Sequence, residues 1–207
     1  QELVECSLKN GIKKCLAVTP FYNKPSQKGL ELHYIELSKV GAEIILYNVP
    51  GRTGVDLLPT TIEKLIEIKT IAGIKEAVNT EERFLALSKI KDKRKDFQLY
   101  SGDDPSFVEF MKFKGDGIIS VAANVIPKEM KDLSDICMRG DFDEAERIIQ
   151  NYQEIFKLLF VEASPSPCKY LLEKMSLIEN NLRLPLHPLS MDCLLYTSDA
   201  ADELLGV

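Results

Sequence analysis

Short apolar runs alternate with amphipathic helical patterns along the first 126 residues, and few folds accommodate that alternation. KKCLAVTP (13–20), EIILYNVP (43–50), IAGIKEA (71–77), FQLYSG (97–102) and GIISVAA (117–123) read as strands. Between them KGLELHYIELSKV (28–40) places Leu30, Tyr34, Leu37 and Val40 at helical spacing. LPTTIEKLIEI (58–68) tolerates Pro59 in a first turn, EERFLALSKI (81–90) follows a candidate cap at Thr80, and DPSFVEFMKF (104–113) completes the helices. Apolar strands separated by helices pair in parallel and are covered by those helices, which gives an α/β fold. An open doubly wound sheet and a (β/α)8 barrel both suit the pattern; the barrel needs eight strands, and five are legible here. From Pro127 the pattern is helical only, in PKEMKDLSDICMRG, DFDEAERIIQNYQEIFKLLF and PCKYLLEKMSL. The expected organisation is therefore a strand–helix region over 1–126 and a helical region over 127–190. The first residues, QELVECSLKNG, look like the end of a helix and carry no secretory signal.

Composition removes several function classes. No run of eighteen apolar residues exists, so no membrane span is expected. The net charge of −6 argues against a nucleic-acid partner, which calls for a basic stripe. The five cysteines have no CxxC spacing, and His33 and His187 stand far apart. Reduced thiols in a cytoplasmic protein fit that pattern better than a disulfide frame, a metal site or a Ser-His-Asp triad. No GxGxxG or GxxxxGK[ST] follows a strand, and GDG (115–117) reads as a turn.

The polar clusters TPFYNKP, YNVPGRTG, GIKEA, YSGDD and SVAANV each fall at the C-terminal end of a strand, the face on which barrels carry their chemistry. Lys75 closes the apolar run IAGIK. Desolvation disfavours an ammonium, and a neutral amine can attack a carbonyl to form a Schiff base. The alternative is a strand-end lysine whose stem is buried and whose head reaches water. Tyr47 lies 28 positions before Lys75, one βαβ unit, so adjacent strands bring a phenol beside the amine as an acid/base partner. Alternatively, its ring packs and its hydroxyl is wetted. Arg52, framed by Pro50, Gly51 and Gly54 in a tight turn, suits a bidentate carboxylate or simply a solvated loop. Thr19, Pro20, Phe21, Tyr22 and Asn23 form an aromatic loop: a subunit contact, a substrate wall, a lid, or an anchor under the loop. Gly102 permits close backbone approach by a ligand, while Asp103 or Asp104 most simply caps the next helix.

VTPFYNKPSQKGL (18–30), YNVPGRTG (47–54), GIKEA (73–77), SGDD (101–104), GDGIISVAANVIP (115–127) and LRLPLHPLS (182–190), in this order and spacing, closely resemble the 4-hydroxy-tetrahydrodipicolinate synthases, also called dihydrodipicolinate synthases. The resemblance covers about residues 1–190. It implies a TIM (β/α)8 barrel of the class I aldolase type, here a partial barrel of about five C-terminal strands plus a C-terminal helical extension. It implies condensation of pyruvate with L-aspartate 4-semialdehyde in lysine biosynthesis, through a covalent Lys–pyruvate imine and with no cofactor or metal. Carried over by motif, Lys75 forms the imine, Tyr47 relays protons, and Tyr22 reaches into a neighbouring subunit's relay. Arg52 binds the semialdehyde carboxylate, and Gly102 and the carbonyl of Ile119 shape the pyruvate pocket. A homo-oligomer, a dimer of dimers, is implied.

The chain also departs from the family pattern. Three strands and a GGTTGE-like loop that precede residue 13 in the family are missing, so the chain reads as N-terminally truncated and is expected to be inactive alone. Phe21 stands where many lysine-inhibited members carry tyrosine, and AVNT (77–80) and SPSPCK (164–169) differ from the usual forms. MDCLLYTSDAADELLGV (191–207) reads as translated adapter or vector sequence, or else as a lineage-specific helix. Alternative functions are an N-acetylneuraminate lyase or keto-deoxy-sugar-acid aldolase of the same superfamily, from which Arg52 discriminates, and a non-catalytic pyruvate-binding remnant.

Overall fold

The computed structural model describes residues 1–190 and 193; the expected non-native tail, Cys193 apart, lies outside the described residues. The chain forms two compact units, Gln1–Ile119 and the segment from Ser120 onward.

In the first unit α1 (Glu2–Lys9) leads into β1 (Lys14–Val18), α2 (Gln27–Ser38), β2 (Glu43–Asn48), α3 (Pro50–Thr53), α4 (Pro59–Leu65), β3 (Ile71–Glu76), α5 (Glu81–Lys93), β4 (Gln98–Ser101), α6 (Phe107–Lys112) and β5 (Gly117–Ile118). The five strands form one sheet in the order β1-β2-β3-β4-β5, and every neighbouring pair is parallel. A doubly wound sheet reverses its strand order at a switch point. The sequential order here, with helices packed against one face of the sheet, is that of a partial (β/α) barrel. The sheet also curls: Lys14 Nζ in β1 donates to Gln98 Oε1 in β4 at 2.9 Å. In a flat sheet those strands would stand three spacings, roughly 14 Å, apart.

The helix-facing side holds the core. Ile44, Leu46, Ile74 and Leu99 from the strands pack with Leu30, Tyr34, Leu37, Ile62, Leu65, Phe84, Leu87 and Phe110 from the helices. Leu30, Tyr34 and Leu37 occupy the buried stripe expected of their spacing, and the Tyr34 hydroxyl donates to the Ala17 carbonyl at 3.1 Å. Helix starts follow local chemistry: Ser26 accepts from the Gly29 amide, Thr80 from the Arg83 amide, and Pro59 sits in the first turn of α4.

Three local expectations change. The turn PGRTG closes instead as the single helical turn α3, with Pro50 at its start and Gly54 at φ 71° at its end. The strand expected over 117–123 has only two residues, because the Ser120 hydroxyl accepts from the Ala123 amide and the chain winds into a 3-10 turn over Ala122–Asn124. The helical run 141–160 divides at Asn151 and Tyr152.

The second unit is helical, as expected for the residues after 127. It contains α7 (Pro127–Met138), α8 (Phe142–Gln150), α9 (Gln153–Leu158) and α10 (Ser166–Lys174). Met130, Leu133, Ile136, Ala145, Ile149, Ile155, Phe156 and Leu171 are buried. Among the described residues no helix is long and apolar enough to cross a membrane.

Candidate active site

Register carries one layer of side chains across the whole sheet. Val18 pairs with Tyr47, Tyr47 with Lys75, Lys75 with Tyr100, and Tyr100 with Gly117. Partners in register share a face, so this layer lies on the concave side near the C-terminal strand ends. Lys75 is only 9% exposed and takes no ion pair among the described residues. Its Nζ sits 4.3 Å from the centroid of the Tyr47 ring, over the face of the phenol rather than at its hydroxyl. The sequence reading thus correctly brings the two together.

Burial is the main cause that lowers the Lys75 pKa; the Asp104 carboxylate opposes it and the Arg52 charge adds to it. The ring face beneath the nitrogen favours the cation, so it opposes the desolvation that disfavours it. Burial raises the Tyr47 pKa, against the pull of Arg52. Arg52, in α3, is exposed and forms no ion pair among the described residues. It acts on the pair through space and presents its fork to solvent.

Gly102 has a use that its backbone freedom alone did not indicate. A Cβ there would lie 3.0 Å from Lys75 Cε, 3.2 Å from Lys75 Cγ and 3.1 Å from the Glu76 carbonyl. The space on the Cβ side of this glycine is filled by the stem of Lys75. Ile119 continues the ladder, its amide donating to the Ser101 carbonyl at 2.9 Å, and is 36% exposed. Tyr22 is 93% exposed at φ 69° and is not brought to Lys75 by this chain.

The two aspartates divide. Asp103 braces the turn before α6 rather than capping that helix, whose N-cap is Ser106 without a side-chain cap bond; its Oδ2 accepts from the Ser106 amide at 3.1 Å and from the Ser106 hydroxyl at 2.5 Å. Asp104 is 3% exposed and bears electrostatically on Lys75.

Sequence reasoning missed a buried network on the opposite side of the same strand ends. Asn48 and Glu76 follow Tyr47 and Lys75 directly and are themselves in register. Asn48 Nδ2 donates to Glu76 Oε1 at 2.9 Å and to Asp56 Oδ1 at 2.7 Å, while its Oδ1 accepts from the Leu57 amide at 2.9 Å. Arg83 from α5 donates to Glu76 Oε2 at 3.2 Å, to Asp56 Oδ2 at 2.5 Å and to the Leu57 carbonyl at 3.0 Å. Burial pushes the Glu76 pKa up to about 7, against the Arg83 charge and the donors Val78 N and Asn48 Nδ2. A polar pair trailing Tyr47 and Lys75 at the same 28-residue interval was the available signal. Among the described residues no group of three or more His, Cys, Asp or Glu could hold a metal ion.

Comparison with known proteins gives a consistent picture. The chain matches the Dihydrodipicolinate synthetase family over residues 1–203, past residue 190, where the motif-based resemblance stops. It is 45% identical over 192 residues to the 4-hydroxy-tetrahydrodipicolinate synthase of Pseudomonas aeruginosa, covering 92% of this chain and 65% of that protein. The chain therefore spans less than two thirds of that relative's length. It is 38% identical to the solved dihydrodipicolinate synthase of Thermotoga maritima, with a TM-score of 0.95 over 100% of this chain and 71% of that one. The chloride-inhibited dihydrodipicolinate synthase of Acinetobacter baumannii, solved with pyruvate, is 37% identical with a TM-score of 0.92, over 100% of this chain and 70% of that one.

Proposed function

The chain belongs to the dihydrodipicolinate synthetase family, and from that premise we propose that the protein carrying it is a cytoplasmic Schiff-base lyase of lysine biosynthesis. It condenses pyruvate with L-aspartate 4-semialdehyde to 4-hydroxy-tetrahydrodipicolinate. The observation that carries this reading is Lys75: a buried amine without an ion pair among the described residues, its Nζ over the Tyr47 ring.

The chemistry follows from those groups. The neutral Lys75 amine donates its lone pair to C2 of pyruvate, and a C–N bond forms as the C–O π pair moves to oxygen. The nitrogen gives up one of its two protons, the oxygen takes up two and leaves as water, and the nitrogen lone pair forms the C=N bond of an iminium that keeps one N–H. The cationic nitrogen then accepts the electron pair of a C3–H bond as the proton departs, giving an enamine. Its C3 attacks the aldehyde carbon of the semialdehyde, and the resulting alkoxide takes a proton. The semialdehyde's own amine displaces Lys75 from C2 and closes the ring, so the lysine is regenerated. Because the iminium nitrogen is the electron sink, the sequence calls for no dissociable cofactor.

Tyr47 is the proton carrier beside the imine. Arg52 is the carboxylate receptor for the second substrate, supported by its exposure next to the pair and its forked geometry. Gly102 and the Ile119 carbonyl border the keto-acid site. Tyr22, fully presented on its loop, serves a second copy of the protein in a homo-oligomer.

Borohydride reduction in the presence of pyruvate tests the reading in the full-length protein that carries this sequence. The expected result is a covalent pyruvyl mass increase in the wild type that is lost in Lys75→Ala; a wild type without the increase would overturn it. Arg52→Ala is expected to spare the adduct while weakening use of the semialdehyde, and equal loss of both would assign Arg52 a structural role.

A further inference from the structure

Three segments carry the proposed chemistry: the end of β2 with Tyr47, the end of β3 with Lys75, and α3 with Arg52. All three lead directly into one buried cluster. Asn48 is the next residue after Tyr47, Glu76 the next after Lys75, and Asp56 and Leu57 follow α3. The cluster is closed by Arg83, which reaches in from α5 and is 8% exposed; Asn48 and Glu76 are 0% and 1% exposed. It is held from the other side by Gln27 of α2, whose Nε2 donates to the Asp56 carbonyl at 2.6 Å and whose Oε1 accepts from the Leu58 amide at 3.1 Å.

We propose that Asn48, Glu76, Asp56 and Arg83 act as a positioning clamp that sets the spacing between Lys75 and Tyr47 for imine chemistry. The inference rests on the Schiff-base reading given above. Alternation along the strands is the physical link: the side chains of 47 and 75 project to the concave face, those of 48 and 76 to the helix face. A bond between Asn48 and Glu76 therefore fixes the two strand ends one residue from the reacting pair, without entering the space a substrate occupies. The backbone does the same in parallel, through the Ala77 amide on the Asn48 carbonyl at 3.0 Å and the Gly102 amide on the Glu76 carbonyl at 2.7 Å.

Arg83 suits the role because one planar fork spans two carboxylates and a carbonyl, which an ammonium cannot do. The cluster is also where loose geometry would be felt most. Its bonds join residues from 7 to 28 positions apart, and Arg83 is the group that ties α5 to Glu76, Asp56 and Leu57.

Arg83 bonds to Glu76 on the helix face, opposite the side to which Lys75 and Tyr47 project, so its replacement separates positioning from binding. The rate of borohydride-trapped pyruvyl adduct would be measured against pyruvate concentration in full-length wild type, Arg83→Met and Arg83→Lys, with circular dichroism reporting the folded fraction. The expected result is a saturating rate reduced roughly 10–100-fold per folded molecule in Arg83→Met, with half-saturation changed less than about threefold. Arg83→Lys, which retains the charge and folds more readily, is expected to fall between. A folded Arg83 variant with a wild-type saturating rate would overturn the clamp and leave the lyase reading standing. A rise in half-saturation alone would likewise overturn it. A wild type that forms no adduct would overturn both.

Discussion

Two strand lysines on the same concave face show what makes one of them chemically useful. Lys14 opens β1, and its side chain is 44% exposed, paired with Glu43 at 3.2 Å and bonded to Gln98. Lys75 closes β3, 9% exposed, without an ion pair among the described residues. The strands that carry them differ in the same way. β1 has one neighbour and alternates between exposed and half-buried residues, whereas β3 has a neighbour on each side and all six of its residues are buried. Burial pushes Lys75 toward the neutral, nucleophilic form, against the pull of the Asp104 carboxylate. The burial of all six β3 residues supplies the desolvation that bears on Lys75.

The largest expected contrast comes from exchanging each lysine for arginine. Lys75→Arg should abolish pyruvate adduct formation, since a guanidinium stays protonated, while Lys14→Arg should leave it at the wild-type rate. Intact mass after borohydride reduction reads both, and an adduct persisting in Lys75→Arg would break the comparison. Next is Gly102→Ala. Its Cβ meets the Lys75 stem and the Glu76 carbonyl at about the same range, and only the lysine can give way. Overpacking of this kind costs about 1–3 kcal/mol, so adduct formation in the folded variant should slow by roughly tenfold or more. An unchanged rate would show that the Lys75 stem is not seated against this glycine.

Glu76 supplies a stability test. Its pKa is raised to about 7 from 4.5, so the folded state holds a proton that the unfolded chain has released. That contribution is fully present below pH 4.5 and disappears as pH rises through about 7, a loss on the order of 3 kcal/mol. Urea midpoints of the wild type should fall between pH 5 and 8, and in Glu76→Gln that part of the slope should vanish. Parallel profiles would mean that the carboxyl is not the group titrating. The smallest effects come from the charges around Lys75. Asp104 holds its pKa up and Arg52 presses it down. Asp104→Asn should move the pH midpoint of adduct formation downward, and Arg52→Ala upward. Unchanged midpoints would show that burial alone governs the amine.

Much of this was legible from neighbouring residues. Strand and helix alternation, the stripe Leu30–Tyr34–Leu37, the Thr80 cap and the 28-residue interval from Tyr47 to Lys75 are all short-range patterns, and the structure reproduces each. The misreadings occurred where a local pattern supports two outcomes. GIISVAA is as strand-like as GIKEA, yet a serine hydroxyl turns it after two residues. Asp103 and Asp104 are the same residue side by side; one braces a turn and the other is buried and bears on Lys75.

By itself the sequence determined a parallel sheet with helical crossovers and a tyrosine–lysine pair on adjacent strand ends, because period and register depend on residues close in the chain. Only the tertiary structure decided that Gly102 makes room for the Lys75 stem, that Arg83 gathers Glu76 and Asp56, and that the amine lies over a ring face. Those contacts join side chains brought together by packing, and their geometry exists only once the sheet has curled and the helices have closed over it.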